Sequence, residues 1–255
     1  MLAAGVGRRL YGDDYEQPPK ALMRFGDKSL LERHAENLKA FGVDELVLVV
    51  GHRGNEILDE VATYDELDFI SSIYNPQYRG GPLISLWTAR ELLRSGDDIL
   101  FMDADVLYHP HMLERLICSD SGNCFLYDDD IEDGEDPVRV CIRDDKPVDF
   151  GKMIEGDFDS VGEWPGFMKM TPDIAAKLAD ACQAYIDRAE MHVTYEVAMR
   201  DVLLSEPAGT FGFEDISDIP WIEIDFPADL IRAERHILPR LSENIGLGKK
   251  TGNSA

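Results

Sequence analysis

The sequence predicts an α/β fold with three layers, in which helices cover both faces of a mixed, mostly parallel sheet. Short apolar runs rich in valine, isoleucine and leucine alternate with amphipathic helical segments through the first half of the 255 residues. Glycine-rich or acidic segments follow such runs at 5–7, 51–54 and 103–105. Because ligands bind beyond the carboxyl ends of parallel strands, we expect these three segments to meet in one cleft.

The elements of the first half follow from hydrophobic spacing. In residues 30–41, leucines, His34 and Phe41 share one helical face, and Gly42 provides a stop signal. The run at 45–51 is short, β-branched and ends in glycine, which is typical of a buried strand. The same order then repeats, with a strand over 68–74, a helix over 83–96 and a buried strand over 97–105.

The second half is less regular. Residues 138–152 predict two strands joined by a turn at Asp144, Asp145 and Lys146. We expect a meander inserted around 120–170 in a single domain over 1–244, followed by a disordered tail over 245–255. The other predicted elements are a strand over 164–170 and helices over 173–187, 194–204 and 227–238.

The charge of the chain limits its partners. Fifty acidic residues against 25 basic ones give a net charge of −25, which argues against a general electrostatic surface for nucleic acid or an anionic membrane. No apolar run approaches the roughly 20 residues of a membrane span, and the amino terminus lacks the pattern of a secretory signal. We therefore expect a cytoplasmic protein, either a monomer or a homodimer.

The segment LAAGVGRRL at the amino terminus could hold an anion. Gly5 and Gly7 permit a tight turn whose backbone N–H groups can face a phosphate, and Arg8 and Arg9 add positive charge beside it. Taken alone, the segment is equally compatible with a plain turn. Lys20, which follows two prolines, favours the phosphate interpretation because its stiff setting lets it reach back across the loop.

These two segments, LAAGxGxRL and PKAL, resemble the opening of the nucleotidyltransferases that couple a nucleoside triphosphate to a phosphorylated sugar or alcohol and release pyrophosphate. The resemblance implies a Rossmann-like fold and a glycine loop that wraps the triphosphate, with Arg9 and Lys20 as catalytic cations. The nucleotide-binding residues that it implies are Leu2, Ala3, Ala4, Gly5, Gly7, Arg8, Arg9, Lys20, Gly51, Gly81, Ser85 and Asp103.

One further segment points to one branch of that family. Residues 75–89, NPQYRGGPLISLWTA, are similar to the cytidylyltransferases that act on phosphocholine and related small phosphoesters or phosphonates, although that branch commonly has paired asparagines where this chain has GGPL. The resemblance implies CTP as the favoured donor and a small phosphorylated acceptor. It places Lys152 near the acceptor phosphate as a third catalytic residue and gives an acceptor pocket of Glu163, Trp164, Tyr195, Glu196 and Glu223.

Carboxylates at two distant strand ends predict a metal site. Nucleotidyl transfer builds charge on the departing pyrophosphate, and Mg²⁺ bound by one or two carboxylates and by substrate phosphates suits that chemistry. Asp105 and Asp225 match the ligands of the family that the sequence resembles. Asp103 and Glu223 lie two residues before them and would face the same side of an extended strand, as auxiliary groups.

In the pattern of the family, a strand of about five residues precedes the glycine loop, and this chain keeps only its last residues. We interpret this either as a translation start assigned too late, at an internal codon, with the strand encoded upstream, or as a chain that was cut at this point. The hypothesis predicts an in-frame apolar strand in the upstream sequence.

Other functions stay open on the sequence alone. One is a sugar-1-phosphate nucleotidyltransferase of the same fold that uses UTP, GTP or dTTP. A second is a glycosyltransferase in which Asp103 and Asp105 form the D-x-D metal site, and a third is a regulator that binds nucleotide without catalysis. Release of pyrophosphate distinguishes a nucleotidyltransferase from the glycosyltransferase and from the regulator.

Overall fold

A computed structural model describes residues 1–14, 16–64, 67–131 and 137–243. The predicted tail over 245–255 lies outside the described residues. The strands are β1 (Leu2–Ala3), β2 (Arg24–Phe25), β3 (Lys28–Ser29), β4 (Leu46–Val50), β5 (Ile70–Tyr74), β6 (Ile99–Met102), β7 (Val106–Tyr108), β8 (Cys124–Tyr127), β9 (Arg139–Arg143), β10 (Lys146–Gly151), β11 (Ser160–Glu163), β12 (Phe167–Met170), β13 (Gly212–Asp215) and β14 (Trp221–Glu223).

The helices lie mostly between strands of the main sheet. They are α1 (Arg8–Tyr11), α2 (Leu30–Ala40), α3 (Gly54–Val61), α4 (Pro82–Thr88), α5 (Arg90–Leu93), α6 (Pro110–Ile117), α7 (Pro172–Asp187), α8 (Tyr195–Ser205) and α9 (Pro227–Arg232).

The main sheet has the order β5–β4–β1–β6–β12–β8–β13. The first three strands are parallel, and a bridge between Leu2 and Asp103 joins β1 to the end of β6. Strand β12 runs antiparallel to both β6 and β8, whereas β13 is parallel to β8. The glycine loop therefore leaves a strand at the centre of the sheet, although that strand is only two residues long.

Helices cover both faces of this sheet, as the alternation of side chains along its strands requires. Phe101 and Phe125 face one side, where they pack against α4, α5, α7 and α8. Their neighbours Met102 and Leu126 face the other side, against α2, α3 and α6. The prediction of a three-layer, mixed and mostly parallel fold is thus confirmed.

Smaller sheets accompany the main sheet. Strands β10, β9 and β11 form an antiparallel sheet, in which Asp144 and Asp145 make the predicted turn with φ angles of 50° and 56°. Strands β7 and β14 pair antiparallel, and so do β2 and β3. A π-helical turn over Ala233–Ile237 continues α9.

Several predicted elements were wrong in extent. The strand over 97–105 covers only Ile99–Met102. The helix over 83–96 is interrupted at Ala89, which separates α4 from α5. The strand over 164–170 begins only at Phe167, because Pro165 has no N–H to donate and Gly166 adopts a φ of 85°. The regular helix over 227–238 ends at Arg232. Among the described residues, no helix combines the length and apolar character that crossing a membrane requires.

Candidate active site

A cleft of about 930 Å³ lies at the carboxyl ends of β1 and β6. The loop after β1 forms one wall, residues after β6 form its floor, and β11, α8 and β14 supply the opposite wall. The predicted site residues that line it are Leu2, Ala3, Ala4, Gly5, Gly7, Arg8, Arg9, Lys20, Gly81, Ser85, Asp103, Asp105, Lys152, Glu163, Trp164, Tyr195, Glu196, Glu223 and Asp225. Gly51 is not among the lining residues.

The glycine loop is shaped by two different requirements. Gly7 has a φ of 66°, and a Cβ there would lie 2.9 Å from Cδ2 of Tyr11, so a larger residue would be strained and crowded. By contrast, a Cβ added at Gly5 would have no neighbouring atom within 4 Å. The backbone at Gly5 therefore borders open space in the cleft, where a ligand can approach it closely.

Three acidic side chains converge where β7 and β14 pair. Asp105 precedes β7 and Asp225 follows β14, and the Ile224 N–H donates to the Asp105 carbonyl at 3.0 Å. One carboxylate oxygen each from Asp105, Glu223 and Asp225 lie within 4.8 Å of one another. Hard oxygen donors at this spacing are the set that Mg²⁺ takes from proteins, so these residues fit the predicted metal.

Two predicted phosphate-binding cations contact this carboxylate group. Lys20 Nζ lies 2.9 Å from Asp105 Oδ2 and 2.6 Å from Asp225 Oδ1, and Arg9 lies 2.6 Å from Asp225 Oδ2. Burial alone would lower the pKa of Lys20, but the charges of Asp105 and Asp225 raise it above its ordinary value. Lys20 therefore keeps its positive charge at this point of the cleft.

The acidic residues respond to burial and to one another. Burial raises the pKa of Asp225, but the charges of Lys20 and Arg9 outweigh it, and the pKa is lowered. Burial and the charge of Asp105 hold the pKa of Glu223 well above its usual range. This arrangement favours a cation among the three carboxylates, because added positive charge relieves their repulsion.

Asp229 fixes the backbone that carries Asp225. Its Oδ2 accepts the N–H groups of Asp225 and Phe226 at 2.9 and 2.7 Å, which caps α9. The capping carboxylate holds the loop after β14 in place, and Asp225 with it. Asp229 lies four residues after Asp225, and the sequence analysis assigned it no role.

Asp103 has a separate partner, Tyr195, whose hydroxyl donates to Asp103 Oδ2 at 2.5 Å. Burial and the charge of Asp105 raise the pKa of Asp103. Gly166 packs directly against this side chain, since a Cβ there would lie 2.7 Å from Asp103 Oδ2. Tyr195 thus positions Asp103 as well as lining the pocket.

A buried asparagine organises the wall that β5 and α4 supply. Asn75 is fully buried; its amide donates to Ser85 Oγ at 3.1 Å, and its Oδ1 accepts the Gln77 N–H at 2.8 Å. Gly51 lies beneath this wall, where a Cβ would be 2.5 Å from Tyr78 Cβ. The absence of a side chain at Gly51 therefore lets Tyr78, which lines the cleft, pack against it.

The far wall contains a carboxylate that the sequence analysis missed. Asp128 follows β8, lines the cleft and accepts the Trp221 Nε1–H at 2.6 Å. The backbone of Asp128 forms hydrogen bonds with the backbone of Glu163 on β11. An acidic residue directly after a buried strand was the signal that identified Asp103 and Asp105, and the same signal was present here.

The fold and this cleft can now be compared with those of known protein families. A family model described as the MobA-like NTP transferase domain matches residues 1–144, and the chain belongs to that family. The resemblance seen in the sequence is therefore confirmed.

Named relatives extend the comparison. The chain is 27% identical over 253 residues to a CMP-5'-(3-aminopropyl)phosphonate synthase of Streptomyces rubellomurinus, covering 96% of this chain and 40% of that protein. It is 27% identical over 251 residues to a bifunctional IPC transferase and DIPP synthase of Rubrobacter xylanophilus, covering 97% and 51%. The chain thus spans about half the length, or less, of these relatives.

Among solved structures, the inositol-1-phosphate CTP transferase from T. maritima superposes with a TM-score of 0.70, at 20% identity, over 96% of this chain and 95% of that one. This likeness shows the fold.

Proposed function

We propose that the protein transfers CMP from CTP to an oxygen of a small phosphoester or phosphonate and releases pyrophosphate. In this reaction an acceptor oxygen forms a bond to the α-phosphorus of CTP while the bond from that phosphorus to the bridging oxygen breaks. The observation that carries the proposal is the convergence of Asp105, Glu223 and Asp225 with Lys20 and Arg9 beside the glycine loop. The names of the Streptomyces relative and the T. maritima structure support cytidine as the base.

The residues of the chain have separate tasks in this proposal. Asp105, Glu223 and Asp225 would hold Mg²⁺, and the bound ion would offset negative charge on the phosphates. Arg9 and Lys20 turn from the carboxylates to the triphosphate and stabilise the charge that grows on pyrophosphate.

The acceptor is activated by position alone. Lys152, which lines the cleft, holds the acceptor phosphate or phosphonate. That group is already anionic at neutral pH, so the reaction needs no general base from the protein. Alignment of the attacking oxygen with the α-phosphorus supplies the acceleration.

The test incubates the protein with Mg²⁺, each of the four ribonucleoside triphosphates and dTTP, and a panel of phosphorylated alcohols, amino alcohols, phosphonates and sugar 1-phosphates. Pyrophosphate release is measured, and the product mass is determined. We expect release with CTP and a small acceptor, reduced about a hundredfold or more in Asp105→Asn and unchanged in the exposed control Asp98→Asn.

Three results would contradict the proposal in distinct ways. Release only with UTP, GTP or dTTP and a sugar 1-phosphate would identify a sugar nucleotidyltransferase. In a parallel incubation with nucleotide sugars in place of the triphosphates, sugar transfer without pyrophosphate release would identify a glycosyltransferase. Nucleotide binding without either product would identify a regulator.

A further inference from the structure

An ion pair with a buried carboxylate joins strand β10 to helix α8. Asp149 on β10 is 8% exposed, and Arg200 on α8 donates to both of its oxygens, from Nε to Oδ1 at 2.6 Å and from Nη2 to Oδ2 at 3.0 Å. Two parallel bonds of this kind fix the orientation of both groups. Neither residue lines the cleft, and the sequence analysis assigned neither of them a role.

Stability alone is a weak reason for a buried carboxylate at this place. Once buried, the charge of Asp149 has to be paired, and replacement of such a pair by apolar side chains is often neutral or stabilising. The best-attested use of buried ion pairs is to fix the register of one element against another. The role of this pair therefore depends on what β10 and α8 carry.

Strand β10 ends beside the ion pair and leads directly to Lys152. Its pairing with β9 shifts register between Pro147 and Asp149, a β-bulge of the kind that redirects side chains. Gly151, the last residue of the strand, has a φ of 140°, and a Cβ there would lie 3.7 Å from Arg200 Cδ. Arg200 therefore packs beside the residue before Lys152 as well as binding Asp149.

Lys152 depends on this backbone for its position. Its side chain lines the cleft, and it takes part in no ion pair or hydrogen bond among the residues that the structure describes. The next residue, Met153, is 91% exposed, so the chain has left the sheet at this point. Since none of these residues holds the ammonium, its place in the cleft is set by where β10 ends.

Helix α8 connects the same ion pair to the floor of the cleft. Strand β10 is not part of the main sheet, so its end needs a separate link to the residues after β6. At the first turn of α8, the Tyr195 hydroxyl donates to Asp103 Oδ2. Further along the helix, Arg200 binds Asp149 and thereby the strand end that carries Lys152.

We propose that the ion pair of Asp149 and Arg200 positions Lys152, setting the place of its ammonium relative to the floor of the cleft and so the place of the acceptor's phosphate or phosphonate. A displacement of about 1 Å in a substrate-binding group can cost most of its effect, which gives a distant anchor its value. The inference rests on the proposed function, which assigns the anionic group of the acceptor to Lys152.

The experiment separates the position of Lys152 from the stability of the fold. Calorimetry measures dissociation constants, with Mg²⁺ and α,β-methylene-CTP present, for ethyl phosphate, phosphocholine and propylphosphonate, which share little besides their anionic group. Arg200→Lys keeps the positive charge but cannot form the two parallel bonds. We expect it to weaken binding of these anions about tenfold and to leave the affinity for α,β-methylene-CTP unchanged.

A second background shows whether the pair acts through Lys152. We expect Lys152→Met to weaken anion binding, and Arg200→Lys to add less than about a twofold loss in that background. Asp149→Asn, which keeps the shape of the side chain, gives the same pattern. Arg94→Lys is the control, because Arg94 pairs with Asp180 at 2.7 Å on the exposed surface, and it changes none of the constants.

Four results would overturn the inference. They are a full loss from Arg200→Lys in the Lys152→Met background, equal losses for the anions and for α,β-methylene-CTP, wild-type affinity in both Arg200→Lys and Asp149→Asn, and failure of the wild type to bind any of the three anions. Thermal unfolding of each variant shows whether an equal loss comes from a weakened fold.

The proposed function is tested independently of these constants. Pyrophosphate release by the wild type leaves it standing whatever the variants show. Anion binding that depends on Lys152 and Arg200, without pyrophosphate release for any acceptor, would overturn the proposed function and leave the positioning of Lys152 intact.

Discussion

At the scale of single residues, Lys20 is the most informative side chain of the site. It bridges Asp105 and Asp225 at the place where the carboxylates fit a metal ion. Its ammonium thus serves as an internal counter-ion for a group of acids that would otherwise repel one another. In the proposed reaction, Lys20 therefore competes with the metal ion for these carboxylates until a phosphate receives it.

Replacement of Lys20 tests this competition. In Lys20→Met we expect nucleotidyl transfer to fall about a hundredfold or more, because a phosphate-binding charge is lost. Binding of Mn²⁺ to the nucleotide-free protein should tighten about tenfold or more, because the competing cation is gone. Electron paramagnetic resonance of free Mn²⁺ measures the second effect. Weaker Mn²⁺ binding in the variant would show that Lys20 helps to assemble the metal site.

Lys146→Met is the matched control for that measurement. Lys146 is exposed at the start of β10 and does not line the cleft. We expect neither Mn²⁺ affinity nor transfer to change in this variant.

Residues in recurring local patterns were the ones the sequence could identify. Asp105, Asp225 and Lys20 each sit in a segment with its own signal, and the structure brings them together as expected. The bond from Trp221 to Asp128 spans 93 positions and has no local signal. The role of Tyr195 as a donor to Asp103 is similarly a product of packing between distant elements.

At the scale of elements, the turn between β11 and β12 determines the position of Asp103. Gly166 occupies this turn with a φ of 85°, and its own carbonyl accepts the Asp103 N–H at 3.2 Å. The turn therefore fixes the backbone of Asp103. Because Gly166 has no Cβ, the side chain of Asp103 fits against it.

We expect Gly166→Ala to destabilise the protein by about 1–2 kcal/mol more than Gly96→Ala. Gly96 has a similar φ of 93° but open space around a Cβ, so it measures the backbone strain alone. Urea unfolding gives the two free energies of unfolding. Equal losses would mean that Asp103 moves aside at no cost.

Elements with a clear hydrophobic period were predictable, whereas some short ones, such as β7, were not. The spacing of leucines identified α2, and the run of valines identified β4. Strands β7 and β14 have three residues each, too few to show a period, yet their pairing brings Asp105 to Asp225. Helix α6 was missed despite Pro110 at its first position, which is a start signal.

At the scale of the whole molecule, a buried histidine links the stability of the fold to pH. His34 is fully buried between α2 and the main sheet, and burial lowers its pKa to about 3. The unfolded chain takes up a proton at about pH 6.5, whereas the folded chain does not. Stability from this residue is therefore complete above pH 6.5 and is lost progressively as the pH falls towards 3.

The prediction is that acidification from pH 7.5 to 5 costs the wild type about 2 kcal/mol more than His34→Gln, which has no proton to gain. Urea unfolding of both proteins at the two pH values measures the difference. The same loss in both would assign the pH dependence to the carboxylates.

The positions of the tryptophans allow ligand binding to be followed by intrinsic fluorescence. Of its three tryptophans, Trp164 and Trp221 line the cleft, whereas Trp87 lies elsewhere, under the Arg90 guanidinium and bonded to Gln183. Ligands that enter the cleft should change the emission of the first two and leave Trp87 as a constant background. Titration of the unlabelled protein can therefore follow each substrate in turn, and Trp221→Phe should remove the part of the signal that reports the far wall.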